Sequence, residues 1–290
     1  MNLLWRSYRT FAPVLGAMAP AAVLFTSPQE RVLFRERLGR VARPGGCDAW
    51  VHAASMGEAV AATTLTRELL RIHPEARLHL TASTRSGRER LAAVEPHASL
   101  APIDTPQAVH RFVKGVQPER ILLLETELWP HWLLRAAADG IPVAVVSARL
   151  SERSARRYLR LGPELRQLVH GLAAVLCQSE EDEQRWLSIG AAPERTRVVG
   201  NLKSDGLPEP VVDRAAARGA LGLLADRPLL VLGNVRPGEG RLLARAWRAV
   251  PAALREGWQV VAVPRHPRAL GQIQAEALAA GLTSMSEASA

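Results

Sequence analysis

Ile121-Leu122-Leu123-Leu124-Glu125-Thr126-Glu127-Leu128-Trp129-Pro130 is the stretch that decides the fold. Four aliphatic residues in a row predict a short apolar strand of the kind that parallel sheets bury on both faces. Two carboxylates flank Thr126 directly after it. Buried without partners they would be costly, so they imply either the hydroxyls of a polar ligand or an arginine partner such as Arg149.

Reading outward in both directions, the pattern repeats. Apolar runs at 50–54, 78–82, 98–102, 143–146, 173–177 and 197–199 predict further strands, and amphipathic stretches such as 59–72 lie between most of them. Strands that alternate with helices predict βαβ units and a doubly wound α/β domain with a parallel sheet over about the first 200 residues. Pro208 and Pro210 mark a linker over 206–213. A second alternation follows: strand 229–232, helix 241–254, strand 260–263, helix 269–280. The organisation expected is an N-terminal segment (1–30), a Rossmann-like domain (31–205), the linker and a partial second domain (214–290).

Polar residues cluster just after the strands, where an open parallel sheet forms its ligand crevice. Ser55, Gly57 and Glu58 follow the first strand; Ser83, Thr84 and Ser86 the second; Asp104 the third; Glu125 and Glu127 the fourth; Arg149 and Ser151 the fifth; Ser179, Glu181 and Asp182 the sixth. Helix capping accounts for Asp104, Ser151 and Ser179, and helix dipoles for Glu181 and Asp182. It does not account for Glu125 and Glu127. These two, with Arg149, Ser55 and Glu58, are expected to line one cleft.

The chain has 290 residues and a net charge of +9, with 48% hydrophobic and 22% charged residues, the composition of an ordinary globular protein. Arginine supplies nearly all the positive charge, since Lys114 and Lys203 are the only lysines. That bias fits either GC-rich coding or attraction to anionic phosphates. Nucleic-acid binding is not expected, because no basic run is interleaved with aromatics. Two cysteines, Cys47 and Cys177, make no disulfide framework or metal cluster. No Asp-x-Asp occurs, and no Gly-x-Gly-x-x-Gly follows the first strand, which excludes the usual dinucleotide fingerprint. No metal or other cofactor is expected.

At the N-terminus Arg6 and Arg9 precede an apolar run, 11–25, that Pro13 and Pro20 interrupt. It is too short to span a bilayer. An interfacial anchor and a cleaved signal peptide are the two readings; Arg31, Arg35, Arg37 and Arg40 just downstream favour the anchor on an anionic cytoplasmic leaflet.

Several blocks resemble, in the same order, the bacterial 3-deoxy-D-manno-octulosonic acid (Kdo) transferases. They are His52-Ala53-Ala54-Ser55-Met56-Gly57-Glu58, Glu125-Thr126-Glu127-Leu128-Trp129-Pro130, Ser147 to Ser154, Gly200-Asn201-Leu202-Lys203-Ser204-Asp205 and Pro264-Arg265-His266-Pro267. The resemblance implies a glycosyltransferase-B fold and transfer of Kdo, with inversion, from CMP-Kdo to a lipid A precursor. It also implies a location at the cytoplasmic face of the inner membrane. The acceptor would meet Ser55, Gly57, Glu58, Ser83, Thr84, Ser86, Glu125, Glu127 and Arg149. The donor would meet Lys203, Glu239, Arg265 and His266. The family's general base lies in a Gly-Glu-Arg-aromatic-Gly run; the matching run here is Arg35-Glu36-Arg37-Leu38-Gly39, which assigns the role to Glu36 and departs at Arg35 and Leu38. In the loop 233–240, Arg236 stands where the family has histidine and Gly240 where it has a second glutamate. The family's Gly-Gly-His-Asn and Leu-Glu-Pro region has no counterpart before Ala290. Three expectations follow: a truncated or partner-dependent transferase, a fragment of a longer product, or a protein that binds the lipid A precursor without turnover.

Overall fold

The computed structural model describes residues 3–18, 27–41, 43, 45–206 and 213–282. The chain divides into two compact units, 1–207 and 208–290. The expected linker falls almost wholly outside the described residues, as do residues 19–26 of the expected anchor.

In the first unit the elements run α1 (Leu3–Met18), α2 (Pro28–Arg37), β1 (Ala49–Ala53), α3 (Met56–Ile72), β2 (Leu78–Ala82), α4 (Arg85–Ala92), β3 (Ser99–Leu100) and α5 (Pro106–Val116). They continue β4 (Ile121–Leu124), α6 (Pro130–Asp139), β5 (Val143–Ala148), α7 (Glu152–Leu159), α8 (Pro163–His170), β6 (Ala174–Cys177), α9 (Glu180–Ser188), β7 (Thr196–Val198) and α10 (Leu202–Asp205). The seven strands form one sheet in the order β3-β2-β1-β4-β5-β6-β7, and every pairing is parallel. From β1 the chain winds outward through β2 and β3, then returns to place β4 on the other side of β1. The β1–β4 boundary is therefore the topological switch point, outside whose carboxyl ends such sheets bind ligands.

Local sequence accounts for the framing helices. Ser55, Thr84, Thr105, Ser151 and Ser179 each cap the helix that follows through a side-chain oxygen. Helix α5 buries Ala108, Val109, Phe112, Val113 and Val116, one face at helical spacing, and stops at Gln117, whose φ is +46°. Asp104 behaves differently from the expectation. It does not cap its own helix; its carboxylate accepts from the His131 and Trp132 amides and so closes the N-terminus of α6, where Trp129 offers no cap.

The core under the sheet is aromatic. Trp50 is fully buried, with Phe112 and Trp132 ring centroids at 4.6 and 4.7 Å. Helix α1 joins this core: Trp5, 2% exposed, lies within it, and the Tyr8 hydroxyl donates to the Asp104 carboxylate. The opposite side of α1 presents Phe11 and Val14 to solvent beside exposed Arg6 and Arg9. Among the described residues no helix is long and apolar enough to cross a membrane.

The second unit contains α11 (Arg214–Ala220), β8 (Leu229–Val235), α12 (Glu239–Ala249), α13 (Ala252–Arg255), β9 (Gln259–Pro264) and α14 (Leu270–Ala279). Strands β8 and β9 pair in parallel over a small core of Val235, Ala269 and Ile273. The single helix expected over 241–254 is two helices, because Pro251 has no amide to continue the first. Helix α11 was not expected; an Ala-rich segment with Gly219 carries no apolar period, and Asp213 caps it.

Candidate functional site

The carboxyl edge of the first sheet gathers the residues singled out after the strands. Strand β4 ends at Leu124, and Glu125 turns the chain with a left-handed φ of +56°. Its carboxylate pairs with the Lys203 ammonium. The basic partner is thus a lysine and not Arg149, which is exposed and meets Glu125 only through backbone: the Arg149 amide donates to the Glu125 carbonyl at 3.4 Å. Lys203 is held there because α10 is tied to β5. The Leu202 amide donates to Ser147 Oγ at 3.2 Å, and Ser147 is itself left-handed at φ +53°.

At the switch point stand Glu58 and Glu127. Glu58 reaches back from the first turn of α3 to accept from the Ala54 amide at 2.8 Å and the Ser55 hydroxyl at 2.9 Å. Burial pushes its carboxyl above the usual range despite those hydrogen bonds, and Glu125 and Glu127 push the same way. Glu127 Oε2 accepts from Trp129 Nε1 at 2.7 Å and lies 3.7 Å from Nε2 of His52. His52 is fully buried on β1, its other nitrogen 2.9 Å from Thr81 Oγ1 on β2.

Along the same edge toward β3, Ser83 is half-buried and its carbonyl takes the Arg37 guanidinium. Thr84 is used as the α4 cap, while Ser86 and Gly57 lie exposed in the first turns of α4 and α3. Glu36, nearly buried at the end of α2, is gripped by Arg88: Nε to Oε2 at 2.8 Å and Nη2 to Oε1 at 2.7 Å. The Leu100 amide adds a third hydrogen bond at 2.7 Å. Glu36 also lines a cavity of about 310 Å³ with Arg35, Arg40, His79, His97 and Ser99.

In the second unit, Arg265 and His266 line a cavity of about 380 Å³ with Arg236, Pro237 and Ala269. Glu239 does not face it as a free carboxylate, since Oε2 accepts from the Arg236 amide at 2.7 Å and closes the loop. Among the described residues no group of three His, Cys, Asp or Glu side chains is placed to hold a metal ion.

The first unit thus brings Ser55, Glu58, Glu125, Glu127 and Lys203 to one edge. Sequence reasoning missed His52, Thr81, Trp129, Arg37 and Arg88. One signal was available for His52: a histidine inside a strand otherwise made of Ala, Trp and Val needs a polar reason to be buried. Arg88 offered none, being 52 residues from Glu36.

Residues 33–206 match the family described as 3-deoxy-D-manno-octulosonic-acid transferase (kdotransferase). A 3-deoxy-D-manno-octulosonic acid transferase of Bordetella pertussis is 38% identical over 253 residues, 84% of this chain and 58% of the relative. One from Haemophilus influenzae is 30% identical over 247 residues, 83% of this chain and 58% of the relative. The chain therefore spans little more than half the length of these curated relatives. Among solved structures, UDP-GlcNAc 2-epimerase from Neisseria meningitidis bound to UDP-GlcNAc superposes with a TM-score of 0.53 at 15% identity, covering 80% of this chain and 69% of the other. A putative UDP-N-acetylglucosamine 2-epimerase from Listeria monocytogenes gives 0.53 at 16%, covering 84% and 70%. These likenesses establish the Rossmann-like, glycosyltransferase-B type of fold.

Proposed function

The chain belongs to the 3-deoxy-D-manno-octulosonic-acid transferase family, and from that premise we propose that its first unit is the acceptor side of a glycosyltransferase that moves Kdo from CMP-Kdo to a lipid A precursor. The observation that supports this best is the row of carboxylates at the switch point, Glu58, Glu125 and Glu127, of which the two on the β4 turn are only partly covered. Ionised carboxylates are strong acceptors for sugar hydroxyls. Exposed Arg149 supplies positive charge for an acceptor phosphate, and Ser55, Gly57, Ser83, Thr84 and Ser86 supply hydroxyls and amides beside it. In the second unit Arg265 and His266 are the donor-phosphate candidates, with Glu239 shaping their loop; in the first, Lys203 serves by neutralising Glu125.

In this reading an acceptor hydroxyl attacks the anomeric carbon as CMP leaves from the opposite face, so configuration inverts, and a carboxylate takes the hydroxyl proton. Glu36 is that base. Oε2 accepts from both Arg88 and Leu100, whereas Oε1 accepts only from Arg88, so Oε1 is the oxygen with a lone pair left for the hydroxyl proton. The solvent face of α1, apolar and basic, rests on the cytoplasmic surface of the inner membrane. Incubating the purified chain with CMP-Kdo and a lipid A precursor, followed by mass analysis of the lipid, tests the proposal. One added Kdo or more is expected; precursor binding without mass gain would leave a binding protein in place of a transferase.

A further inference from the structure

We infer that His52 is a positioning residue that holds Glu127 so that one carboxylate oxygen, beside the Trp129 ring, receives a hydroxyl of the acceptor sugar. The inference rests on the acceptor reading above and names the subsite within it.

The argument starts from donors that have no choice. Trp50 Nε1 carries a proton and can only donate; it donates to Thr81 Oγ1 at 2.7 Å. Thr81 Oγ1 also lies 2.9 Å from His52 Nδ1. The hydroxyl keeps a second lone pair as well as its proton, so it can meet Nδ1 in either role; the choice is made at Nε2, which faces the Glu127 carboxylate, an acceptor when ionised, so Nδ1 takes the hydroxyl proton. A neutral ring then carries its proton on Nε2. The ring is neutral because it is wholly buried, which pushes its pKa down. Trp132 covers it edge-on, centroids 4.8 Å apart.

Nε2 has no hydrogen-bond partner among the described residues, yet it is buried and aimed at Glu127 Oε2, 3.7 Å away. Trp129 Nε1 donates to the same oxygen. Both N–H groups therefore face Oε2, the indole within hydrogen-bond reach and the imidazole 3.7 Å off, and Oε1 takes no hydrogen bond among the described residues. The neighbours differ. Glu58 and Glu36 each accept a hydrogen bond at both oxygens, and Glu125 is paired with Lys203. Glu127 meets only neutral donors and has one open oxygen at the sheet's switch point. Trp129, 39% exposed, presents an aromatic surface beside it. An aromatic face next to an oriented carboxylate suits a pyranose, whose apolar C–H face and equatorial hydroxyls match the two. The chain of donors ends in an indole, so His52 orients Glu127 and does not shuttle protons.

Two measurements on the full chain test this. Long-range ¹H–¹⁵N correlation of His52 should show the Nε2–H form near neutral pH, with an Nε2 resonance that moves in E127Q. An Nδ1–H form overturns the inference. Affinity for a lipid A precursor in mixed micelles is then measured for a double-mutant cycle. H52L and E127Q should each weaken binding roughly ten-fold, the worth of one hydrogen bond to a charged group. H52Q, which keeps a donor at the Nε2 position, should stay within about two-fold. In the E127Q background H52L should add nothing; an unchanged ten-fold effect there means that His52 acts only through folding and sinks the proposal. If the wild-type chain binds no precursor while His52 shows the Nε2–H form coupled to Glu127, the acceptor reading fails and the positioning of Glu127 stands.

Discussion

Arg88 and Glu36 form a two-pronged ion pair between α4 and α2, with both guanidinium–carboxylate distances under 3 Å. The pair separates two roles for Glu36. A general base is worth about 10²–10⁴ in rate, whereas a purely structural ion pair affects turnover only through stability. We expect Glu36→Gln to lower turnover by that factor, and Arg88→Ala to destabilise by about 1.5–3 kcal/mol with a much smaller loss of turnover. Kinetics and urea unfolding on both variants decide. Equal losses from the two would remove Glu36 from the chemistry.

Gly39, three residues on, fixes where α2 ends. Its φ is +73°, and a Cβ there would sit 2.0 Å from the Ala108 carbonyl oxygen. Gly39→Ala must therefore push α2 off α5, at a cost of about 3 kcal/mol. Because α2 carries Glu36, turnover should fall with it. A thermal unfolding curve that superposes on the wild type's would count against Gly39 as the constraint on where α2 ends.

The membrane reading can be tested without opening the core. Removing residues 1–25 also removes buried Trp5, and loss of such a side chain costs about 3–5 kcal/mol, so release from vesicles would be confounded with unfolding. Phe11 and Val14 are 64% and 53% exposed. The double change Phe11→Glu, Val14→Glu should move the protein from the pellet of anionic liposomes to the supernatant at an unchanged melting temperature. Continued pelleting counts against α1 as the contact.

Acid stability should report the buried histidines. Burial, helped by Arg43 and His97, pushes His79 down to about 3. Its folded value lies below the unfolded one of about 6.5, so its contribution is full above pH 6.5 and is lost as pH falls from there toward 3. The slope is about 1.4 kcal/mol per pH unit. His52 acts in the same direction from the same cause. Urea unfolding at stepped pH should show the decline, and His79→Gln should flatten it; an unaltered slope in that variant would assign it to other groups.

What sequence could and could not disclose follows from range. Strands β1, β2 and β4 were readable because each is a short apolar run with its own period, and the serine and threonine caps because capping is decided within three residues. The partner of Glu125 was not, since Lys203 is 78 residues away and reaches it only once β7 has joined the sheet. The burial of Trp5 was hidden by its setting: a short apolar stretch with arginines and Pro13 looks like a surface anchor, and only the fold supplies α5, against which one face of α1 packs.

Adjacent left-handed residues at 125 and 147 also bear on how this edge can change over generations of mutation. Backbone in that region excludes β-branched side chains and tolerates few others besides Gly, Asn and Asp. Glycine would relax either position but delete the carboxylate or the hydroxyl that anchors α10. Variants with new acceptor preference should therefore accumulate at Thr126, Trp129 and Arg149, where φ is ordinary, while 125 and 147 stay fixed in any library selected for folded protein. The backbone, not the ligand, sets which positions of the crevice are free to explore.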